Sequence, residues 1–262
     1  MKRSDGRYPN QLRYLKFTKN YLSHPSASVL TEVGGTKVIC SVSIENNIPG
    51  WMRAQRVSGG WLTAEYGMIP PSTHSRVRRE ATSGKQGGRT VEIQRLIGRA
   101  LRSIVNLDAL GQNTIYIDCD VIDADGGTRC ASITGAAVAL QLAVKKLFPN
   151  QNPKKPIIKE GLAAISVGIV NGKPVLDLNY DEDSKAEVDM NIIMTESGKF
   201  VEIQGTAEGE PFSYQQMEEM MALAKNGLNK IFDIQRSVLG RKEKEKKEEL
   251  GSLGDLMGDL EV

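Results

Sequence analysis

The 262-residue chain carries 34 Lys and Arg against 32 Asp and Glu, with two His, three Cys, 40% hydrophobic residues and 5% aromatics. This is the composition of a globular protein, long enough for one large domain or two small ones that bury a core without disulfide staples. The odd, irregularly spaced Cys40, Cys119 and Cys130 argue against a disulfide framework or a zinc site, and neither a signal peptide nor a run of about 18 apolar residues is apparent, so a reducing, cytoplasmic setting is expected.

In chain order, Ser28–Val33 and Lys37–Ile44 are β-branched runs around Gly34-Gly35, the pattern of a hairpin. Trp61–Met68 is expected to be a further strand. From Arg89 to Val105, Ile93, Leu96, Ile97, Ala100, Leu101 and Ile104 recur at helical spacing and leave Arg95, Arg99 and Arg102 on the other face. Residues 114–122 alternate strictly, with Ile115, Ile117, Cys119 and Val121 on one side, as a half-buried strand does. A helix follows from about Ser132 to Phe148, so rich in alanine that more than one side must be buried. Residues 149–156 hold three prolines and two asparagines, and read as a loop and a seam between two halves.

Beyond it, Leu162–Val170 and Val175–Tyr180 flank Asn171-Gly172, a strong hairpin signal. Met190–Thr195 and Phe200–Gln204 suggest a second hairpin across Glu196–Lys199. Ser213 and Gln216 fit a capping box at the start of a helix to Leu239. The fold class is therefore α+β, with a weak internal repeat of strands followed by a helix. Residues 240–262, a mixed charge run and a thin Gly/Leu/Asp tail, read as a solvated helix end fraying into disorder.

The net charge of +2 conceals a split. Residues 1–102 carry 17 basic and 6 acidic side chains, a balance of +11, and the remainder balances at −9. Twelve of the fifteen arginines lie in the first part, which suits an anion surface; unless something else points to phosphate, charge that evens out in space on folding is the preferred account. Four elements bear on this choice. Asp123–Ser132 places Gly126-Gly127-Thr128-Arg129 between a strand and a helix, where backbone N–H groups and the helix terminus can cradle an anion; a tight turn is the plainer alternative. Ser83–Thr90 repeats the chemistry, with glycines and Arg89 before a helix. Neither is a Walker A loop. Asp177, Asp181, Glu182, Asp183, Glu187 and Asp189 form an acidic cluster, in which Asp183 and Asp189, beside an apolar strand, are the leading pair for a divalent cation. Thr73–Arg79 holds Arg76, Arg78 and Arg79, which suit a phosphodiester backbone, or a solvated basic loop. Anion pocket, carboxylates and arginines together suit phosphoryl or nucleotidyl transfer, in which positioning and charge neutralisation replace a covalent nucleophile.

The ordered motifs Ile69-Pro70, Ser72-Thr73-His74, Gly84–Thr90, Glu92–Ile97, Asp118–Val121, Ala124–Arg129, Asp189-Met190-Asn191 and Gln204–Gly209 closely resemble bacterial ribonuclease PH. The resemblance runs from the N-terminus to about Leu239. It implies the ribonuclease PH-like fold of two similar α+β halves over residues 1–239. It also implies a phosphorolytic 3′→5′ exoribonuclease, a tRNA nucleotidyltransferase, that trims tRNA precursors, releases nucleoside 5′-diphosphates and can run in reverse. By motif, Arg89, Gly127, Thr128, Arg129 and Ser132 would hold inorganic phosphate, and Asp183 and Asp189 would hold Mg2+ or Mn2+, with one of them also a candidate general acid. Arg76 and Arg79 would guide RNA, and the helical Arg95 and Arg99 would extend that track. The implied assembly is a homohexamer, a trimer of dimers, with neither a membrane nor DNA as partner. Pro71 stands where relatives often carry arginine, residues 50–60 look longer and more basic than usual, and the tail after Gly240 is an addition. The rival reading is a catalytically silent RNA-binding ring subunit; such a subunit would be expected to have lost an acid or a phosphate arginine, yet Arg89, Arg129, Asp183 and Asp189 are all present.

Overall fold

A computed structural model describes residues 3–240, so the expectation for the charged tail falls almost wholly outside the described residues. The chain forms β1 (Leu15–Lys19), β2 (Ala27–Val33), β3 (Thr36–Glu45), α1 (Gly50–Gln55), β4 (Trp61–Met68), α2 (Gly88–Ile104), α3 (Leu107–Leu110), β5 (Thr114–Asp123) and α4 (Thr128–Leu147). After a loop come β6 (Leu162–Val170), β7 (Lys173–Leu176), α5 (Tyr180–Asp183), β8 (Val188–Thr195), β9 (Phe200–Ala207) and α6 (Tyr214–Leu239). The first sheet runs β1-β2-β3-β5-β4, antiparallel except where β4 lies parallel to β5 through the α2 crossover. The second runs β7-β6-β8-β9 and is wholly antiparallel. This is the α+β architecture read from the sequence.

Helix α4 packs on β2 and β3 of the first sheet and on β6 of the second. That position explains its composition, since residues 130 to 141 are buried without a break. It needs Gly135, because a Cβ there would lie 1.9 Å from Thr31 Oγ1 and 2.8 Å from Cys40 Sγ. Helix α4 reaches the length and mean hydropathy of a membrane span, but 78% of its apolar window is buried within the fold, as in a core helix. Strand β6 is buried on both faces: Leu162 and Ala164 join the α4 core, while Ala163, Ile165, Val167 and Ile169 join the core under α6. Its unbroken apolar run is the signature of that situation.

Several boundaries differ from expectation, among them β9, which runs past Gln204 to Ala207, and β8, which starts at Val188. Helix α4 begins at Thr128 rather than Ser132, because Gly127 takes φ +68° as its N-cap and the polar first turn hides the start. Strand β7 ends at Leu176, since Asp177 takes φ +55° and turns the chain. Tyr180 consequently opens α5 instead of closing a strand. The Asn171-Gly172 turn, with φ +50° and +68°, and the Ser213–Gln216 capping box form as expected.

Candidate functional site

A cavity of about 440 Å³ lies between the two sheets, lined by Arg89 from α2, Gly126 to Arg129 at the start of α4, Asp183 from α5, and Asp189 and Asn191 from β8. The loop after β4 adds Thr73, His74, Ser75 and Val77. A larger, more open hollow of about 760 Å³ sits beside Asn106–Ala109 and Leu147–Asn152, but Asp108 and Lys155 are its only charged lining residues. Size therefore does not select the site; convergent charge does.

The glycine turn is built from outside itself. Gly126 and Gly127 take φ +75° and +68°, and a Cβ on Gly126 would meet the backbone of Asn179 and Tyr180 at 2.7 and 2.8 Å. Arg13 donates to Asp125 O at 2.5 Å, and Thr36 Oγ1 donates to Gly126 O at 2.7 Å. Arg13 is itself held by Asp177, through Nη2–Oδ1 at 2.7 Å and the backbone N–H to Oδ2, also at 2.7 Å. The two halves thus share one brace behind the loop. Arg89 lies in the first turn of α2, whose N-cap Gly87 has no side chain to cap the helix. Glu80 ties down the helix start in another way, accepting hydrogen bonds from the backbone N–H of Gly87 itself at 3.0 Å and from Thr90 Oγ1 at 2.7 Å.

The acidic cluster divides on folding. Glu182 pairs with Arg3, whose Nε donates to Oε1 at 2.6 Å, and Asp177 pairs with Arg13. Burial alone would raise the Glu182 carboxyl, but Arg3, the Asn179 amide and Arg7 hold it below its ordinary value. Glu187 accepts from Gly172 N and Asp181 is exposed outside the cavity lining, which leaves Asp183 and Asp189 facing the cavity. Burial raises Asp183, against the pull of Arg129 and Arg89. Burial, and then repulsion from Asp183, pushes Asp189 up to about 6, with Arg129, Arg89 and Asn191 opposing. Asp189 Oδ1 is buried with no hydrogen-bond partner among the described residues.

That orphaned oxygen is what a bound cation would satisfy, and two hard carboxylates suit Mg2+ or Mn2+. No group of three or more His, Cys, Asp or Glu side chains able to hold a metal occurs among the described residues. A two-carboxylate site completed by substrate phosphate and water fits that count. Cys130 is no candidate nucleophile: burial raises its thiol, which donates to Asn191 Oδ1 at 3.1 Å.

Of the residues expected from sequence, Arg89, Gly127, Thr128, Arg129, Asp183 and Asp189 meet at this cavity. Ser132 does not. It is fully buried, and its hydroxyl donates to Thr128 O at 2.8 Å, one turn back inside α4. Arg76 and Arg79 are exposed but outside the lining, and Arg95 is exposed on α2. Arg99 is engaged by Glu202, with Nε–Oε2 at 2.9 Å and Nη2–Oε1 at 2.7 Å. Arg102 lies over the Trp61 ring at 5.0 Å and donates to Leu62 O, so it is structural. Sequence reasoning missed Arg13 and Glu80, because their partners are distant or lie in a turn.

Two sheets joined through one buried helix, with arginines and desolvated carboxylates lining one cavity, make an α+β protein of two strand-and-helix units. The chain matches the 3′ exoribonuclease family, ribonuclease PH, in domain 1 over residues 11–146 and in domain 2 over residues 162–227. It belongs to that family. Its fold is shared by rice (Oryza sativa) Rrp46, at 21% identity over 91% of this chain and 100% of that one, with a TM-score of 0.71. An Archaeoglobus fulgidus exosome with RNA bound to the active site aligns at 18% identity over 88% and 92%, TM-score 0.73. An archaeal exosome core aligns at 18% identity over 90% of each chain, TM-score 0.67.

Proposed function

We propose that this chain is a phosphorolytic 3′→5′ exoribonuclease that trims tRNA precursors as a homohexamer. The observation that supports this most is the convergence of Arg89 and Arg129, from two glycine-rich loops, with Asp183 and Asp189 in one cavity. Arg89, Arg129 and the Gly127-Thr128 backbone hold inorganic phosphate by charge and N–H donation at the starts of α2 and α4. A phosphate oxygen then attacks the terminal phosphodiester phosphorus as the bond to the 3′ oxygen of the preceding nucleotide breaks, releasing a nucleoside 5′-diphosphate. The arginines offset the charge crowded around phosphorus. Bound Mg2+ or Mn2+ would be held by Asp183 and Asp189 and would supply further neutralisation at the reacting phosphoryl oxygens. Asp189, raised toward neutrality, is the carboxyl placed to return a proton to the departing 3′ oxygen when it is not a ligand. The same groups run the reverse reaction, extending a 3′ end from a nucleoside diphosphate.

The test is RNA with metal, with and without phosphate. Phosphate-dependent shortening that yields diphosphates is expected, with Arg89→Ala raising the phosphate requirement strongly and Asp189→Asn abolishing turnover while RNA binding stays within a few-fold. Shortening at full rate without phosphate, yielding monophosphates, would make the protein a hydrolase. No shortening under either condition would make it a silent ring subunit. Mass in solution reads the hexamer directly.

A further inference from the structure

Two aromatic rings at the cavity wall take no part in the reaction as derived. His74, from the loop after β4, and Tyr180, the first residue of α5, meet with centroids 5.6 Å apart and planes tilted by 50°. They come from opposite halves of the fold, and both line the cavity that holds Arg89, Arg129, Asp183 and Asp189. No other lining residue is aromatic. Tyr180 is 48% exposed, so much of its ring surface is free. Its backbone is nevertheless fixed: the N–H donates to Asp125 Oδ1 at 3.3 Å, and Asn179 caps α5 through a capping box. The ring therefore stands on a rigid turn, three residues before Asp183 and against the Gly126 loop.

We infer that Tyr180, buttressed by His74, is the stacking platform for the nucleobase of the terminal nucleotide. The inference rests on the reading that a terminal nucleotide occupies this cavity. With its phosphates among the arginines, a nucleotide must lay its base along the wall, and the two rings are the aromatic part of that wall. Because the rings already touch, the base lies on the open tyrosine surface rather than between them, and His74 fixes the attitude of that surface. Stacking tolerates any base, since every base has a π-face. An enzyme that removes successive, differing nucleotides needs that tolerance. The subsite favours an end that carries a base over a bare sugar phosphate.

The test is equilibrium binding of ADP and of ribose 5-diphosphate, which lacks the base, to the full chain and its variants. The wild type should prefer ADP by at least about fivefold, the weak end of base–aromatic stacking. Tyr180→Phe should keep that preference. Tyr180→Ala should bring the two ligands within twofold by weakening ADP alone, and His74→Ala should produce a smaller loss of the same kind. Equal binding of the two ligands by the wild type, binding of neither, or equal weakening of both by Tyr180→Ala would overturn the platform. Failures of the two readings are separable. Phosphate-dependent shortening with no base preference removes the platform and leaves the reaction, whereas base-selective binding with no shortening removes the reaction and leaves the platform.

Discussion

In metal-free protein, Asp189→Asn should become progressively more stable than the wild type as the pH rises from 4 to 7. Burial and the Asp183 charge lift the Asp189 carboxyl from its ordinary 3.8 to about 6 in the folded chain. Between those two values the native state keeps a proton that the unfolded state has lost, so raising the pH destabilises the fold. At about 1.4 kcal/mol per pH unit of separation, the full loss is about 3 kcal/mol. Asparagine cannot titrate and escapes it. Comparing the two proteins cancels groups with the opposite sign, such as Glu182, whose depressed carboxyl stabilises above its ordinary 4.5 and loses that contribution as the pH falls. Urea unfolding in EDTA at half-unit pH steps reads the difference. Adding Mg2+ or Mn2+ at pH 7 to about 100 times its dissociation constant should restore about 2.7 kcal/mol to the wild type, and much less to the variant. Parallel stability curves for the two proteins from pH 4 to 7 would refute the reasoning, because a solvated Asp189 would ionise alike in both states.

Three other residues carry distinct expectations. Arg13→Met should cost about 3 kcal/mol in denaturant unfolding, the low end for breaking a buried pair, because it removes the guanidinium bonded to Asp177 and leaves only Arg7, 3.5 Å away, to pair with it; a loss under about 1 kcal/mol would show that Arg7 suffices. Glu80→Ala should raise the KM for phosphate about fivefold, the worth of roughly one hydrogen bond, with the RNA KM unchanged and Glu80→Gln close to wild type; equal effects of both variants would point to charge instead of the acceptor role. Arg99→Ala should weaken RNA binding less than twofold, because Glu202 already neutralises Arg99, whereas Arg76→Ala should weaken it several-fold and make it less salt-dependent, as anisotropy at several salt concentrations would show.

Much of the fold was legible because its signals are local. The alternation of Ile115 to Val121, the Asn171-Gly172 turn and the apolar stripe of α2 each specify an element within about ten residues. Strand β1 escaped because Leu15–Lys19 is short, half polar and paired on one side only, with β2. Helices α1 and α5, of six and four residues, are too short to show a period. The start of α4 escaped for a different reason: its first turn serves the site and carries Thr128 and Arg129 where a buried helix would carry apolar residues.

The candidate site was legible where chemistry and glycine spacing coincide, as in Gly84–Arg89 and Gly126–Arg129, and misleading where only charge was visible. The excess of arginine in the first part of the chain invited two explanations, an anion surface or charge that evens out on folding, and the folded molecule uses it in both ways. Arg3, Arg7 and Arg13 turn inward and neutralise Glu182 and Asp177, from which Arg3 and Arg13 are separated by 179 and 164 residues of chain. No local pattern can announce a pair at that distance. The inward pairs remove two members of the acidic cluster from contention, and Asp183 and Asp189 remain as the carboxylates that face the cavity beside Arg89 and Arg129. The pairing that evens out charge between the halves is thus also what defines the site, because the same Arg13 that neutralises Asp177 holds the Gly126-Gly127 turn in place.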